Sequence, residues 1–62
     1  MYGEHIEAMG QLMIENGERV TEENVRDLAM SVEDILFAQG LVTEGDDVLE
    51  QIEQQARYLF NL

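Results

Sequence analysis

The sequence contains no cysteine, no proline, no lysine and no tryptophan. Without cysteine, the chain can form no disulfide and offers no thiolate as a zinc ligand or nucleophile. His5 and Ser31 are the sole histidine and serine. They provide too little for a nucleophile with its base, or for a site with several histidine ligands. We therefore expect a protein that is not an enzyme, with no catalytic residues, no metal and no cofactor.

Long hydrophobic runs are absent too. The longest, Ile35–Leu36–Phe37–Ala38, is far shorter than the 20 or so apolar residues that a membrane-spanning helix needs. The first residues are acidic and lack the apolar core of a signal peptide. These features predict a cytoplasmic protein that does not enter a membrane.

Positive charge is scarce. Three arginines face fourteen acidic residues, which leaves a net charge of −11 and a sequence pI near 4.1. Such a surplus of negative charge disfavours direct binding to nucleic-acid phosphates or to an anionic membrane surface. The expected partner is instead another protein, one with a basic surface.

The length of 62 residues predicts one domain spanning 1–62. A chain of this size buries only about 60% of the surface that it exposes when unfolded, so its stability is marginal. Hydrophobic residues nevertheless make up 45% of the chain, too many for a disordered acidic tail. A second chain would therefore help to stabilise the fold, through self-association or through a heterologous partner.

Two short breaks divide the chain into three helical segments, at about 4–16, 22–39 and 44–61. Gly17 and Gly40 suit the left-handed position that follows a helix. Thr21 can cap the second helix through its hydroxyl group, with Val20 and Val25 at the spacing of a hydrophobic staple. The start of the third helix is ambiguous between residues 43 and 47.

Apolar residues recur with the period of a helix in all three segments, and none alternates as a strand would. The fold class is therefore all-α: a small three-helix bundle, which homodimerisation could complete. Gly10, beside the apolar face of the first helix, is a candidate point of close approach. The expected core residues are Tyr2, Ile6, Met9, Leu12 and Met13; Val25, Leu28, Ala29, Val32, Ile35 and Leu36; and Val48, Leu49, Ile52, Ala56, Leu59 and Phe60.

Met30 and Phe37 point away from the apolar face of the second helix. They are seven residues apart, so they lie along one line two helical turns apart. One interpretation is that this helix is central and is buried on both sides. The other is that the pair contacts a second copy of the chain or another protein, because such surfaces are rich in Met and aromatic residues.

Acidic residues form a stripe opposite the core face of the first helix. Neighbouring carboxylates at this spacing destabilise a helix, and those at its carboxyl end oppose the helix dipole. Such a row loosely imitates a line of phosphates, although solubility alone is also a sufficient reason for it. The candidate partner-binding acidic residues are Glu4, Glu7, Glu15 and Glu18 of this stripe, with Glu33 and Asp34 of the second helix.

The arginines are expected to pair locally: Arg19 with Glu23, Arg26 with Glu22 or Glu23, and Arg57 with Glu53. The carboxylates at 44, 46, 47 and 50 lack the loop pattern of a calcium site.

In charge, size and helicity, the chain resembles the small acidic proteins with which phages and mobile elements block host nucleic-acid-binding machinery, such as anti-restriction and anti-CRISPR proteins. The likeness covers those three properties and no motif. It implies an inhibitor or regulator that acts as a DNA mimic. The alternative is a self-associating structural or scaffold protein. Adaptation to high salt fits less well, because Glu outnumbers Asp and four Met are present.

Overall fold

Three α-helices make up the regular structure of the chain. The computed structural model describes residues 2–43 and 47–62, and all statements below concern these residues. The helices are α1 (Gly3–Glu15), α2 (Val25–Ala38) and α3 (Leu49–Leu59), and the described residues contain no strand. The predicted all-α, three-helix fold is confirmed.

Glycines end the first two helices as predicted. Gly17 and Gly40 have φ values of 82° and 72°, in the left-handed region that costs glycine little. After α2, the N–H of Leu41 donates to the carbonyl of Leu36 at 2.9 Å, and that of Gly40 donates to Phe37 at 3.1 Å. Both bonds define a Schellman motif, and the same pair follows α1.

Helix α3 ends in the same way without a glycine. Asn61 adopts φ 61°, and the N–H of Leu62 donates to the carbonyl of Arg57 at 2.8 Å. Asparagine tolerates the left-handed conformation better than most residues, so α3 ends at Leu59 rather than at residue 61. Its predicted start at residue 44 lies outside the described residues, and Leu49 is its first helical residue.

The start of α2 was predicted at residue 22, and the helix begins three residues later. Residues 22–24 form a hydrogen-bonded turn. The hydroxyl of Thr21 accepts from the N–H of Glu23 at 3.2 Å, and the side chain of Asn24 accepts from the N–H of Thr21 at 2.8 Å. The Asn24 amide also donates to the carbonyl of Arg19 at 2.7 Å. The hydrogen bonds of the Thr21 and Asn24 side chains resemble those of a capping box, and they connect the preceding loop to the helix.

The core lies between the three helices. Leu12 and Leu59, both predicted to be in it, are exposed instead. Leu59 is the last residue of α3, and Leu12 lies at the edge of the apolar face of α1, which three short helices cannot cover fully. Ile35 is half-buried for the same reason. The buried apolar residues are Ile6, Val25, Leu28, Ala29, Val32, Leu36, Val42, Val48, Ile52 and Ala56.

Gly10 is the close-approach point that the sequence suggested. It is buried in α1, and a Cβ atom placed on it would overlap the Cζ atom of the Phe60 ring. The end of α3 therefore packs directly on the backbone of α1.

Each helix contacts the other two, and α2 packs most extensively against α3. Nε2 of His5 lies 3.0 Å from Oε1 of Gln39, and this contact joins the start of α1 to the end of α2. The radius of gyration is 11.0 Å, close to the ~10.6 Å expected for a compact chain of this length.

Candidate protein-interaction surface

Two of the three arginines converge on one buried carboxylate. Nη1 of Arg26 on α2 donates to Oε1 of Glu53 at 3.0 Å, and Nη2 of Arg57 lies 2.9 Å from Oε2. The Glu53 side chain is only 11% exposed. Burial of a carboxylate is tolerated when each oxygen has a charged partner, so this cluster joins α2 to α3.

Arg57 extends the cluster to the loop before α2. Its Nε atom donates to Oε1 of Glu22 at 2.9 Å. This hydrogen bond, with the charges of Glu22 and Glu53, raises the pKa of the guanidinium, which partial burial lowers to a lesser extent. Because the pKa of Arg57 is raised in the folded state, the stability that results is lost only as the pH rises above the usual pKa of arginine. The ion pairs of Arg57 therefore add no pH dependence of stability near neutrality through this shift.

The predicted pairing of Arg57 with Glu53 is confirmed, and the other local pairings are wrong. Arg26 pairs with Glu53 across the interface between α2 and α3, because α3 packs beside it. Among the described residues, it forms no ion pair with the predicted partners Glu22 and Glu23. Arg19 has no ion pair within the described residues. The spacing of residues along the chain does not indicate the cross-helix pair, because this pair depends on how the two helices pack.

These ion pairs leave the net negative charge of the chain on residues outside the arginine–glutamate cluster. The Arg26–Glu53–Arg57–Glu22 cluster is neutral as a whole, so the other acidic residues and Arg19 carry the entire net charge of −11. The surface that the other described residues form is therefore acidic, and Arg19 is the arginine that lies in it.

The acidic stripe of α1 is exposed, but it is shorter than predicted. Glu4, Glu7 and Glu15 are exposed on the helix, within one sector opposite Ile6, and we call these three residues the α1 acidic face. Glu18 is also exposed, yet it lies beyond the end of the helix, because the chain reverses at Gly17. The predicted helical alignment of Glu18 with the stripe is therefore wrong.

Met30 and Phe37 lie on the surface of the chain. Their exposed fractions are 49% and 37%, which excludes the interpretation that α2 is buried on both sides by its own chain. Asp34 is exposed and Glu33 half-buried, and their helical positions place both beside the apolar pair. We call Met30, Glu33, Asp34 and Phe37 the α2 outer face.

The predicted site residues lie on α1 and α2, with Glu18 just beyond the end of α1. The α1 acidic face and the α2 outer face belong to different helices, and both lie outside the buried core. The first is acidic, and the second is apolar with acidic neighbours.

Ile14 is a surface residue that was not predicted from the sequence. It is 51% exposed on α1, although it is a large apolar residue. Its position off the apolar face of the first helix, the criterion that selected Met30 and Phe37, would have identified it. Ile14 borders two surface grooves, which it shares with Phe60.

Across residues 2–43 and 47–62, no group of three or more His, Asp or Glu side chains is placed to hold a metal ion. The acidic residues 44 and 46, part of the carboxylate run discussed above, lie outside these ranges. No helix in the described part of the chain is long and apolar enough to cross a membrane.

Comparison with protein families, with curated proteins and with solved structures found no match to this chain. A function for this chain is therefore inferred from its charges and its surfaces.

Proposed function

We propose that this chain is a small non-enzymatic inhibitor or regulator that binds a basic nucleic-acid-binding protein through its acidic surface. The contact is made by the α1 acidic face, together with Glu18. Its role is to occupy the surface that would otherwise bind nucleic-acid phosphates.

One observation supports the proposal above the others: within residues 2–43 and 47–62, no arginine forms an ion pair with an acidic residue of α1. Arg26 and Arg57 are engaged with Glu53 and Glu22, away from α1. A protein that used its acidic residues only for solubility would gain stability from placing arginines among them. Here the like charges of α1 are left to repel one another, and a basic partner would relieve that repulsion.

The spacing of these carboxylates adds support. Residues three or four apart on a helix have Cβ atoms about 5–6 Å apart, so Glu4 and Glu7 form a short row of fixed charges. A basic surface that binds phosphates through Lys and Arg would accept such a row by the same charge-assisted hydrogen bonds. Recognition of this kind requires negative groups at the right spacing, and these groups need not be phosphates.

The test is capture of basic proteins by two variants of equal net charge. In the α1 variant, Glu4, Glu7, Glu15 and Glu18 are changed to Gln. In the control variant, four exposed acidic residues elsewhere are changed to the matching amides, namely Glu23, Asp27, Asp47 and Glu50. Circular dichroism verifies that both variants fold.

We expect the α1 variant to lose the captured protein and the control variant to keep it, with capture that weakens as salt is added. Equal losses would show that only the total charge matters, and the assignment to α1 would then be wrong.

A second candidate function, a self-associating structural or scaffold module, is favoured by the exposure of Met30 and Phe37. Two chains that met through the α2 outer face would cover both side chains and enlarge a small core. A dimer of this kind is compatible with the inhibitory role, because it would display two α1 acidic faces.

A further inference from the structure

The side of α1 next to α3 carries a groove with an apolar centre. Two adjoining depressions share Ile14 and Phe60 as lining residues. The first continues toward the start of α1 and the second toward the loop that precedes α2. The other residues along the first are Glu4, Glu7, Ala8 and Gln11, and those along the second are Gly17, Glu18, Arg19 and Val20. We call the whole depression the Ile14 groove.

The apolar centre of this groove is already formed in the free chain. Ile14 is half exposed, and the Phe60 ring is held from below by its contact with Gly10. A partner side chain could therefore pack on both without any rearrangement of the bundle. Preformed apolar surface of this kind lowers the entropic cost of binding.

The charge along the groove is polarised. Glu7 lies seven residues before Ile14, nearly on the same line along the helix and about 10 Å away by helical rise. Glu4 lies a further turn away, so the two carboxylates mark one end of the groove. At the other end, Glu18 is accompanied by Arg19.

We infer that the Ile14 groove receives an amphipathic basic helix of the partner protein. An apolar side chain of that helix packs on Ile14 and Phe60, and Lys or Arg residues about two turns away pair with Glu7 and Glu4. This inference rests on the proposed function and specifies the segment of the basic partner that is recognised.

Charge complementarity favours this occupant over a second copy of the chain. Each copy carries a net charge of −11, and among the described residues that line the groove Arg19 is the arginine. An acidic helix from another copy would bring its carboxylates against Glu4 and Glu7. A helix with cations on the flanks of an apolar stripe would contact both the apolar centre and the acidic end of the groove.

The experiment uses two synthetic peptides of about 15 residues, measured by isothermal titration calorimetry against the folded chain. One peptide has a leucine stripe flanked by lysines, and the other has the same lysines with glutamine in place of each leucine. We expect the leucine peptide to bind about tenfold more tightly, since only it can cover the exposed part of Ile14.

Two pairs of variants locate the binding site. Ile14→Ser should weaken binding of the leucine peptide roughly fivefold, whereas Leu12→Ser, at a residue of nearly equal exposure on the other side of α1, should change it by less than about twofold. Glu7→Gln should weaken binding at low salt more than Glu50→Gln, which removes an equal charge from α3.

Equal binding of the two peptides, or equal effects of Ile14→Ser and Leu12→Ser, would overturn the groove assignment. The proposed function would survive if Glu4→Gln and Glu7→Gln still weakened both peptides, because an acidic contact would remain. Absence of binding by either peptide would also overturn the groove, while the capture test with the charge-matched variants would decide the proposed function separately.

Discussion

The ring of Phe60 lies against Gly10, at a distance that leaves no room for a Cβ atom. The end of α3 is thereby seated on the backbone of α1. The same contact positions Phe60 as one wall of the Ile14 groove. A single glycine therefore affects both the packing of the bundle and the shape of its candidate binding surface.

The first prediction concerns whether a substitution at Gly10 raises or lowers the free energy of unfolding. Ala is normally favoured over Gly inside a helix by about 1 kcal/mol. In Gly10→Ala the new methyl group displaces Phe60, so we expect a net loss of about 1 kcal/mol in the free energy of unfolding. Phe60→Leu removes the three ring atoms nearest to Gly10, and in that background Gly10→Ala should become stabilising. Urea denaturation of the four proteins measures both effects, and the same sign in both backgrounds would contradict the contact.

The second prediction concerns Glu53. In Glu53→Gln, two charged hydrogen bonds to Arg26 and Arg57 become weaker and the buried amide is incompletely paired. We expect a loss of about 1–2 kcal/mol in the free energy of unfolding. Glu50→Gln, at an exposed position one turn earlier on α3, is the control and should change stability by less than about 0.5 kcal/mol. Equal midpoints in urea for the two variants would show that the cluster does not stabilise the bundle.

The third prediction concerns salt. Because nearly all the surface charge is of one sign, self-repulsion lowers the stability of the compact state. Raising NaCl from about 0.02 M to about 0.5 M shortens the Debye length several-fold and should raise the thermal midpoint. The variant with Gln at positions 4, 7, 15 and 18 should respond less. A midpoint that falls with salt would indicate that the paired arginines outweigh the repulsion.

The fourth prediction concerns self-association through the α2 outer face. If two copies meet there, Phe37→Asp should convert a dimer into a folded monomer, because it adds a charge where an apolar contact existed. Gln51→Asp adds the same charge at an exposed residue of α3 and should leave the mass unchanged. Sedimentation over a wide concentration range measures the mass. A wild-type chain that remains a monomer throughout would exclude this interface.

Much of the fold was predictable because it depends on local signals. Gly17 and Gly40 marked the ends of two helices, and the periodicity of Val25, Leu28 and Val32 identified the buried face of α2. The end of α3 was less predictable, since asparagine takes the left-handed position there in place of glycine.

The candidate surface was harder to predict because it depends on packing between helices. The pairing of Arg26 with Glu53 requires α2 and α3 to lie side by side, and a rule based on spacing within one helix cannot find it. The exposure of Met30 and Phe37 likewise depends on which sides of α2 the other helices cover. The acidic residues were identifiable from composition and spacing, but the end of α1 at Glu15 removes Glu18 from their helical row.

The most direct test of the central claim is competition with nucleic acid. Duplex DNA is added in increasing amounts to the immobilised chain with its captured basic partner, and the released partner is measured. We predict that DNA releases the partner, and that the α1 variant with Gln at positions 4, 7, 15 and 18 no longer competes with DNA for it. A partner that binds DNA while it stays on the chain would contradict the account, because the acidic surface would then not occupy the nucleic-acid site.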